Sequence, residues 1–242
     1  YRFTATWGEG RDSDDAEGAV IGTSAVRPTR EQIETALPAF TGEIVQVPPA
    51  YSAIKVQGER AYDLARDGEE VRLEPRTVEV LEARLLAIPD PDHAEFEILC
   101  GKGTYVRAWV RDLARTLGTL GYVSDLRRTR IGGFSADAAI GLEKLKALGH
   151  GPAAFEHLRP IATALDGIPA LAVTGPDAVR LKSGNSVLVR ANIFARLTEC
   201  VSGDDLQGLT VFCSTPEGEP VALAELEQGE LRPFRVFNFG TG

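Results

Sequence analysis

The feature that most restricts the fold is a strand–turn–helix unit near the middle of the chain. Residues 94–100 alternate apolar and polar side chains, the period-two signature of a half-buried strand. Gly101-Lys102-Gly103-Thr104 follows, and then Val106, Trp109, Val110, Leu113 and Leu117 fall on one stripe at helical spacing. Such a stripe has to be buried, so a helix over 106–117 is expected to return onto packed structure. Residues 77–88 read as a second strand, joined to 94–100 through a Pro89-Asp90-Pro91-Asp92 turn. Strands are also expected at 1–7 and 19–26. Thr29 followed by Gln32 is a capping box for a helix from Glu31 to Phe40.

The stretch VPPAYSAIKVQGERAY reads as irregular, since paired prolines favour extended backbone. A short helix from Arg60 to Asp67 should stop at Gly68. Beyond it come a basic strand or turn over 123–134 and a short helix from Leu142 to Leu148. From about Ile168 the texture changes to short apolar runs separated by Gly, Pro and Asp: PALAVT, SVLVR, LTVFCST, PVALAELE and PFRVFNF. The reading is α+β: a domain over 1–166 on a mixed, mostly antiparallel sheet, and a small β domain over 167–242.

No run approaches the ~18–20 apolar residues of a membrane helix, and no signal-peptide pattern opens the chain. Three cysteines without a CxxC pair, beside three histidines, argue against a zinc site and suit reduced thiols in a cytoplasm. The chain contains no methionine, and its strand pattern runs from the first residue. The natural start is therefore expected upstream of Tyr1. A net charge of −9 argues mildly against nucleic acid, but residues 101–130 hold seven basic side chains and two acidic ones. That local excess is the footprint of a phosphate-backbone binder, or equally of a solvated basic helix face.

Most catalytic motifs are missing. The acidic loop Asp12-Ser13-Asp14-Asp15-Ala16-Glu17-Gly18 lacks calcium-loop alternation at Ala16 and reads as a solvated turn. A phosphate loop needs Ser or Thr directly after Gly-Lys, where Gly103 stands. Ser-His-Asp, zinc-hydrolase and dinucleotide-binding patterns do not occur. What remains is Lys102 to Arg107, where Tyr105 offers a flat face for a base and Arg107 a planar fork for a carboxylate or phosphate. From the residues alone, a core tyrosine and a surface arginine are the commoner arrangement.

The segment GKGTYVRAWVRDLARTLG resembles the core of TruB-type tRNA pseudouridine synthases of bacteria. The opening Tyr-Arg strand, DSDDAEG, PPAYSAIKVQGERAYDLARDG and LRRTRIGGF match in the same order, and the tail is similar to the PUA-like domain of bacterial members. The resemblance implies isomerisation of the uridine at position 55, in the tRNA T-loop, to pseudouridine. It implies no cofactor and no metal, with tRNA as partner, no DNA or membrane, and a cytoplasmic monomer. Tyr1 would lie against the target uracil as a candidate proton acceptor. Tyr105 would form the site wall, Arg107 would pair with the catalytic aspartate, and Leu126 would line the uridine pocket. Residues 48–72 would be an RNA-gripping insertion carrying Tyr51, Lys55, Arg60 and Tyr62, with Lys102, Arg127 and Arg128 on phosphates.

One departure is large. The family's nucleophile sits in a Gly-Ala-Leu-Asp-Pro loop preceded by a histidine, and neither motif occurs in these 242 residues. The nucleophile is expected upstream of Tyr1, so residues 1–242 alone are expected to be inactive. Asp12, Asp14 and Asp15 match a different loop and receive no catalytic role. Two alternatives stand beside this reading: an RNA-guided relative, disfavoured by the insertion after Pro48, and a non-catalytic RNA-binding or tRNA-folding module.

Overall fold

In a computed structural model, residues 1–52, 54–56, 59–62, 73–189 and 208–238 are described. The expected helix from Arg60 to Asp67 falls largely outside them. The described chain divides into two compact units, Tyr1–Thr129 and Arg130–Gly242.

The first unit is built on a five-stranded sheet in the order β4-β7-β8-β1-β9: β1 (Arg2–Trp7), β4 (Gly42–Gln46), β7 (Arg76–Asp90), β8 (His93–Cys100) and β9 (Gly121–Arg127). Every ladder in it is antiparallel. Two hairpins complete the unit, β2 (Glu9–Arg11) with β3 (Val20–Thr23), and β5 (Lys55–Val56) with β6 (Glu59–Arg60). Phe3 stands opposite Phe96 and Ala5 opposite Ala94, so the alternation of the two strands turns one shared face inward. Helix α2 (Val106–Thr116) lays its apolar stripe on that face, where Trp109, Val110 and Leu113 are fully buried. Trp109 packs edge-on against Phe3, Phe40 and Phe96, and its Nε1–H donates to the Phe40 carbonyl at 3.1 Å. The indole thus buries its ring without orphaning its one donor.

Helix α1 (Arg30–Ala36) starts on the expected capping box, with Gln32 N donating to Thr29 Oγ1 and Thr29 N donating to Gln32 Oε1. The helix was expected to run to Phe40, but its last turn, Leu37–Phe40, is a 3-10 helix. Pro38 brings no N–H, so the regular ladder cannot continue there. Likewise Pro89 and Asp90 belong to β7 rather than to the turn. A bulge between Ala87 and Asp90 absorbs the proline, and Asp90 pairs with His93.

The second unit opens with a hairpin, β10 (Arg130–Ile131) and β11 (Phe134–Ser135), and three short helices, α3 (Leu142–Leu148), α4 (Pro152–Phe155) and α5 (Ile161–Ala164). Its sheet has the order β12-β14-β15-β16-β13: β12 (Ala170–Ala172), β13 (Val187–Leu188), β14 (Leu209–Ser214), β15 (Pro220–Glu227) and β16 (Glu230–Val236). The β12–β14 pair is parallel and the rest antiparallel. Helix α6 (Gly175–Lys182) was not expected among these strands. Its start signal was legible in Thr174, which caps Asp177 N, with Pro176 in the first turn. Among the described residues no helix is long and apolar enough to cross a membrane.

A close approach holds α2 to the sheet. A Cβ at Gly121 would stand 2.9 Å from the Trp7 ring and 3.0 Å from the Ala114 methyl. Gly121→Ala should therefore lower the stability of the full-length protein by about 1–3 kcal/mol through overpacking. At Gly101 the nearest atom would be 3.6 Å away, so Gly101→Ala should leave the denaturant midpoint close to wild type.

Candidate active site

Strand β4 ends at Gln46, which is 2% exposed and grips the backbone before α2. Its Oε1 accepts from Tyr105 N at 3.0 Å and its Nε2 donates to Tyr105 O at 3.4 Å. Tyr105, the N-cap of α2, is thereby held in extended conformation. Gln46 was not singled out from sequence, and a buried amide on a strand gives no local signal.

The polar face of α2 carries Arg107 and Arg111, one turn apart, and both reach the acidic loop. Arg107 Nη1 donates to Asp15 Oδ2 at 2.6 Å and to Ser13 O at 3.0 Å, and Nη2 donates to Tyr51 O at 2.8 Å. Arg111 Nη1 donates to Asp14 Oδ2 at 2.8 Å, Nη2 to Val47 O at 2.8 Å and Nε to Asp112 Oδ1 at 2.9 Å.

The loop is therefore no solvated turn, which corrects the expectation from sequence. Ser13 and Asp14 are 6% and 7% exposed, and Asp14 adopts a left-handed φ of 59°. Inside the loop, Asp15 Oδ1 accepts from Ser13 Oγ and Glu17 N, while Asp12 Oδ1 accepts from Ala19 N. Asp14 O accepts from Val123 N of β9 at 3.1 Å. The acidic run is ordered because guanidinium groups meet it from the helix.

Burial pushes the Asp14 carboxyl above its ordinary value, and the Arg111 charge opposes that rise. Asp112 and Asp14 in turn hold Arg111 more firmly protonated, against its own desolvation. Of the seven basic residues expected to form a patch over 101–130, three face carboxylates. Arg107 and Arg111 direct their charge into the loop, and Arg115 lies 3.5 Å from Asp112. Lys102 and Arg127 are exposed to solvent.

Over the Arg107–Asp15 pair opens a cleft of about 520 Å³, lined by Tyr51, Ser52, Tyr62, Tyr105, Asp15 and Arg107 among others. Four of the expected site residues therefore meet in one place: Tyr51, Tyr62, Tyr105 and Arg107. Tyr1, Leu126 and Arg128 are not among its lining. Tyr1 is half-buried, and its hydroxyl accepts from Arg128 Nε at 2.9 Å while the guanidinium lies 5.2 Å from its ring centre. Leu126 stands opposite Phe3 and is 45% exposed, and Arg127 stands opposite Arg2. Lys55 and Arg60 face each other in register in the β5–β6 hairpin. Among the described residues no group of His, Cys, Asp and Glu is placed to hold a metal ion.

The model of the TruB family pseudouridylate synthase N-terminal domain matches residues 1–106, and that of the tRNA pseudouridylate synthase B C-terminal domain matches residues 107–166. The chain belongs to the TruB family. Within it, tRNA pseudouridine synthase B of Caulobacter vibrioides is 51% identical, over 98% of this chain and 75% of that protein. The protein of the same name from Bradyrhizobium diazoefficiens is 53% identical over 98% of this chain and 67% of its own length. Against that of Nitrobacter winogradskyi, 52% identical, the chain spans 65% of the relative's length. An H/ACA RNP bound to a substrate RNA containing 2′-deoxyuridine has a chain of the same fold, with a TM-score of 0.66 at 18% identity. The alignment covers 99% of this TruB-family chain and 67% of the other. A Cbf5-Nop10-Gar1 complex gives 0.65 at 19% identity, covering 98% and 66%.

The Asp14–Arg111 pair makes stability depend on pH in a stated direction. Arg111→Ala leaves a nearly buried carboxylate without its partner, a loss on the order of 3 kcal/mol at neutral pH. Asp14 already binds its proton more tightly when folded than at its ordinary 3.8. Without Arg111 that difference widens. The variant's stability should accordingly fall as pH rises through the window between the unfolded value and the raised folded one, and recover in acid. Denaturant titrations of variant and wild type across that window check the sign. An equal deficit at every pH would show that Asp14 is not the group left unpaired.

Proposed function

We propose that this chain forms the base-binding side of a site that isomerises a tRNA uridine to pseudouridine. What carries the reading is the Arg107–Asp15 pair beneath a cleft walled by Tyr51, Tyr62 and Tyr105, in a TruB-family chain. Flat aromatic walls suit an unstacked base, and a guanidinium suits a carboxylate that must stay ionised beside it. The target base has to leave its stack first, at about a few kcal/mol. Stacking on the tyrosines and contacts to phosphates offset that cost.

We infer further that the substrate is the T-loop uridine at position 55. The nucleophile is an aspartate of a Gly-Ala-Leu-Asp-Pro loop, a sequence absent from these 242 residues. Its carboxylate adds to the nucleotide as the bond from the ring nitrogen to the sugar breaks, the base turns and rejoins the sugar through carbon, the carboxylate is released, and the proton lost from that carbon is balanced by one gained at the freed nitrogen. No oxidant or cofactor is required for this balance. Tyr1 would take the proton, with Arg128 holding its hydroxyl, and Arg107 would steady the attacking carboxylate. Residues 167–242 would serve as a PUA-like RNA-binding module.

The test is pseudouridine formation on an unmodified tRNA transcript by the full-length protein, by residues 1–242 alone, and by site variants. Full-length protein should turn over and the 242-residue chain should not, because stabilisation by Tyr105 and Arg107 cannot replace a covalent step. Turnover by the shorter chain would move the nucleophile to Asp15, the carboxylate already in the cleft. Arg107→Lys in full-length protein should lose activity at least on the order of a hundredfold, because an ammonium cannot span the same partners. Tyr105→Phe should cost less, since its ring remains.

A further inference from the structure

The two arginines of α2 make a ladder with two rungs. Arg107 and Arg111 are four residues apart on the helix, and the carbonyls they reach, Tyr51 and Val47, are also four apart. On the other side they reach the neighbouring carboxylates Asp15 and Asp14. Each guanidinium therefore ties the acidic loop to the segment that carries Tyr51. The upper rung lines the cleft. The lower rung does not, and its side chains are more deeply buried, at 14% and 9% exposed against 22% and 27%.

We propose that Arg111 and Asp14 are positioning residues, setting the distance between the two cleft walls one helical turn below the reacting site. This rests on the proposed isomerase reading. Three observations favour a positioning role over generic stabilisation. Asp14 holds a left-handed backbone conformation, uncommon outside glycine and here fixed by the Asp14 O–Val123 N and Arg111 bonds. It sits directly before Asp15, so any relaxation of Asp14 moves the carboxylate on Arg107. Finally, Arg111 Nη1 and Nη2 bind different walls, so their separation is fixed by the planar geometry of one guanidinium. A lysine can keep the charge and meet either wall, but it has no rigid fork to hold both.

The experiment compares full-length wild type with Arg111→Lys, Asp14→Asn and Thr29→Ala. The last weakens the α1 cap, on a different element from the cleft lining, and serves as the control for lost stability. Assays are run below the melting range of all four proteins. Arg111→Lys and Asp14→Asn should lower kcat on the order of ten- to a hundredfold through misplacement of the walls. KM for the tRNA should stay near wild type, because the groups that meet RNA remain. Hydrogen exchange should rise together in residues 12–18 and 47–52 in both variants, and in neither segment of Thr29→Ala. Wild-type kcat in Arg111→Lys, or exchange in the two segments no faster than in the control, overturns the proposal. Should wild type itself form no pseudouridine, the isomerase reading fails, and the exchange measurement still decides whether Arg111 joins the walls.

Discussion

Two guanidinium groups on one helix face, each shared between an acidic side chain and a backbone carbonyl, are the interactions on which the site depends. Removing Arg111 and Asp14 from most of their water is expensive, and ion pairing does not reliably return that cost as net stability. The upward displacement of the Asp14 carboxyl records the expense. What such pairs return is geometry. Arg107 places Asp15, Ser13 and Tyr51 around one point, and no apolar replacement of similar volume could define those three positions at once.

That geometry is only as firm as the helix beneath it. Val106, Trp109, Val110 and Leu113 bury the opposite face of α2 in a core shared with Phe3, Phe96 and Val80, and the three aromatic contacts around Trp109 fix the helix against rotation. At 3.6 residues per turn, a stripe through 106, 109, 110 and 113 leaves 107 and 111 pointing the other way. The same periodicity that makes the core therefore aims the arginines. Gln46 sets where the helix begins, so Tyr105 and Arg107 keep a fixed offset from β4.

The parts legible from sequence are those with local causes. The capping box at Thr29, the helix over 106–116 and the strand alternation of β1, β7 and β8 all announce themselves within a dozen residues. Arg107, Tyr105, Tyr51 and Tyr62 were reached as candidates by family resemblance, and the structure brings them to one cleft. The acidic loop was misread because its partners are remote: Asp15 lies 92 residues from Arg107 and Asp14 lies 97 from Arg111. A signal did exist. Arginines at 107 and 111 opposite an apolar stripe require counter-charges, and DSDDAEG is the densest acidic run available. Pairing the two would have taken two arginines out of the basic segment and ordered the loop in one step.

Acidic side chains lining a cleft would ordinarily repel an anionic ligand. Here the loop's carboxylates at 14 and 15 are each met by an arginine, which offsets two of the loop's four acidic charges. Counting donors shows what the arrangement still offers. A guanidinium has five N–H groups. Among the described residues, Arg107 uses two on Nη1, for Asp15 and Ser13, and one on Nη2, for Tyr51. The Nε–H and one Nη2–H remain. Asp15 is then the partner that fixes the fork's direction, and the two remaining N–H groups are what the guanidinium can still give to a ligand in the cleft.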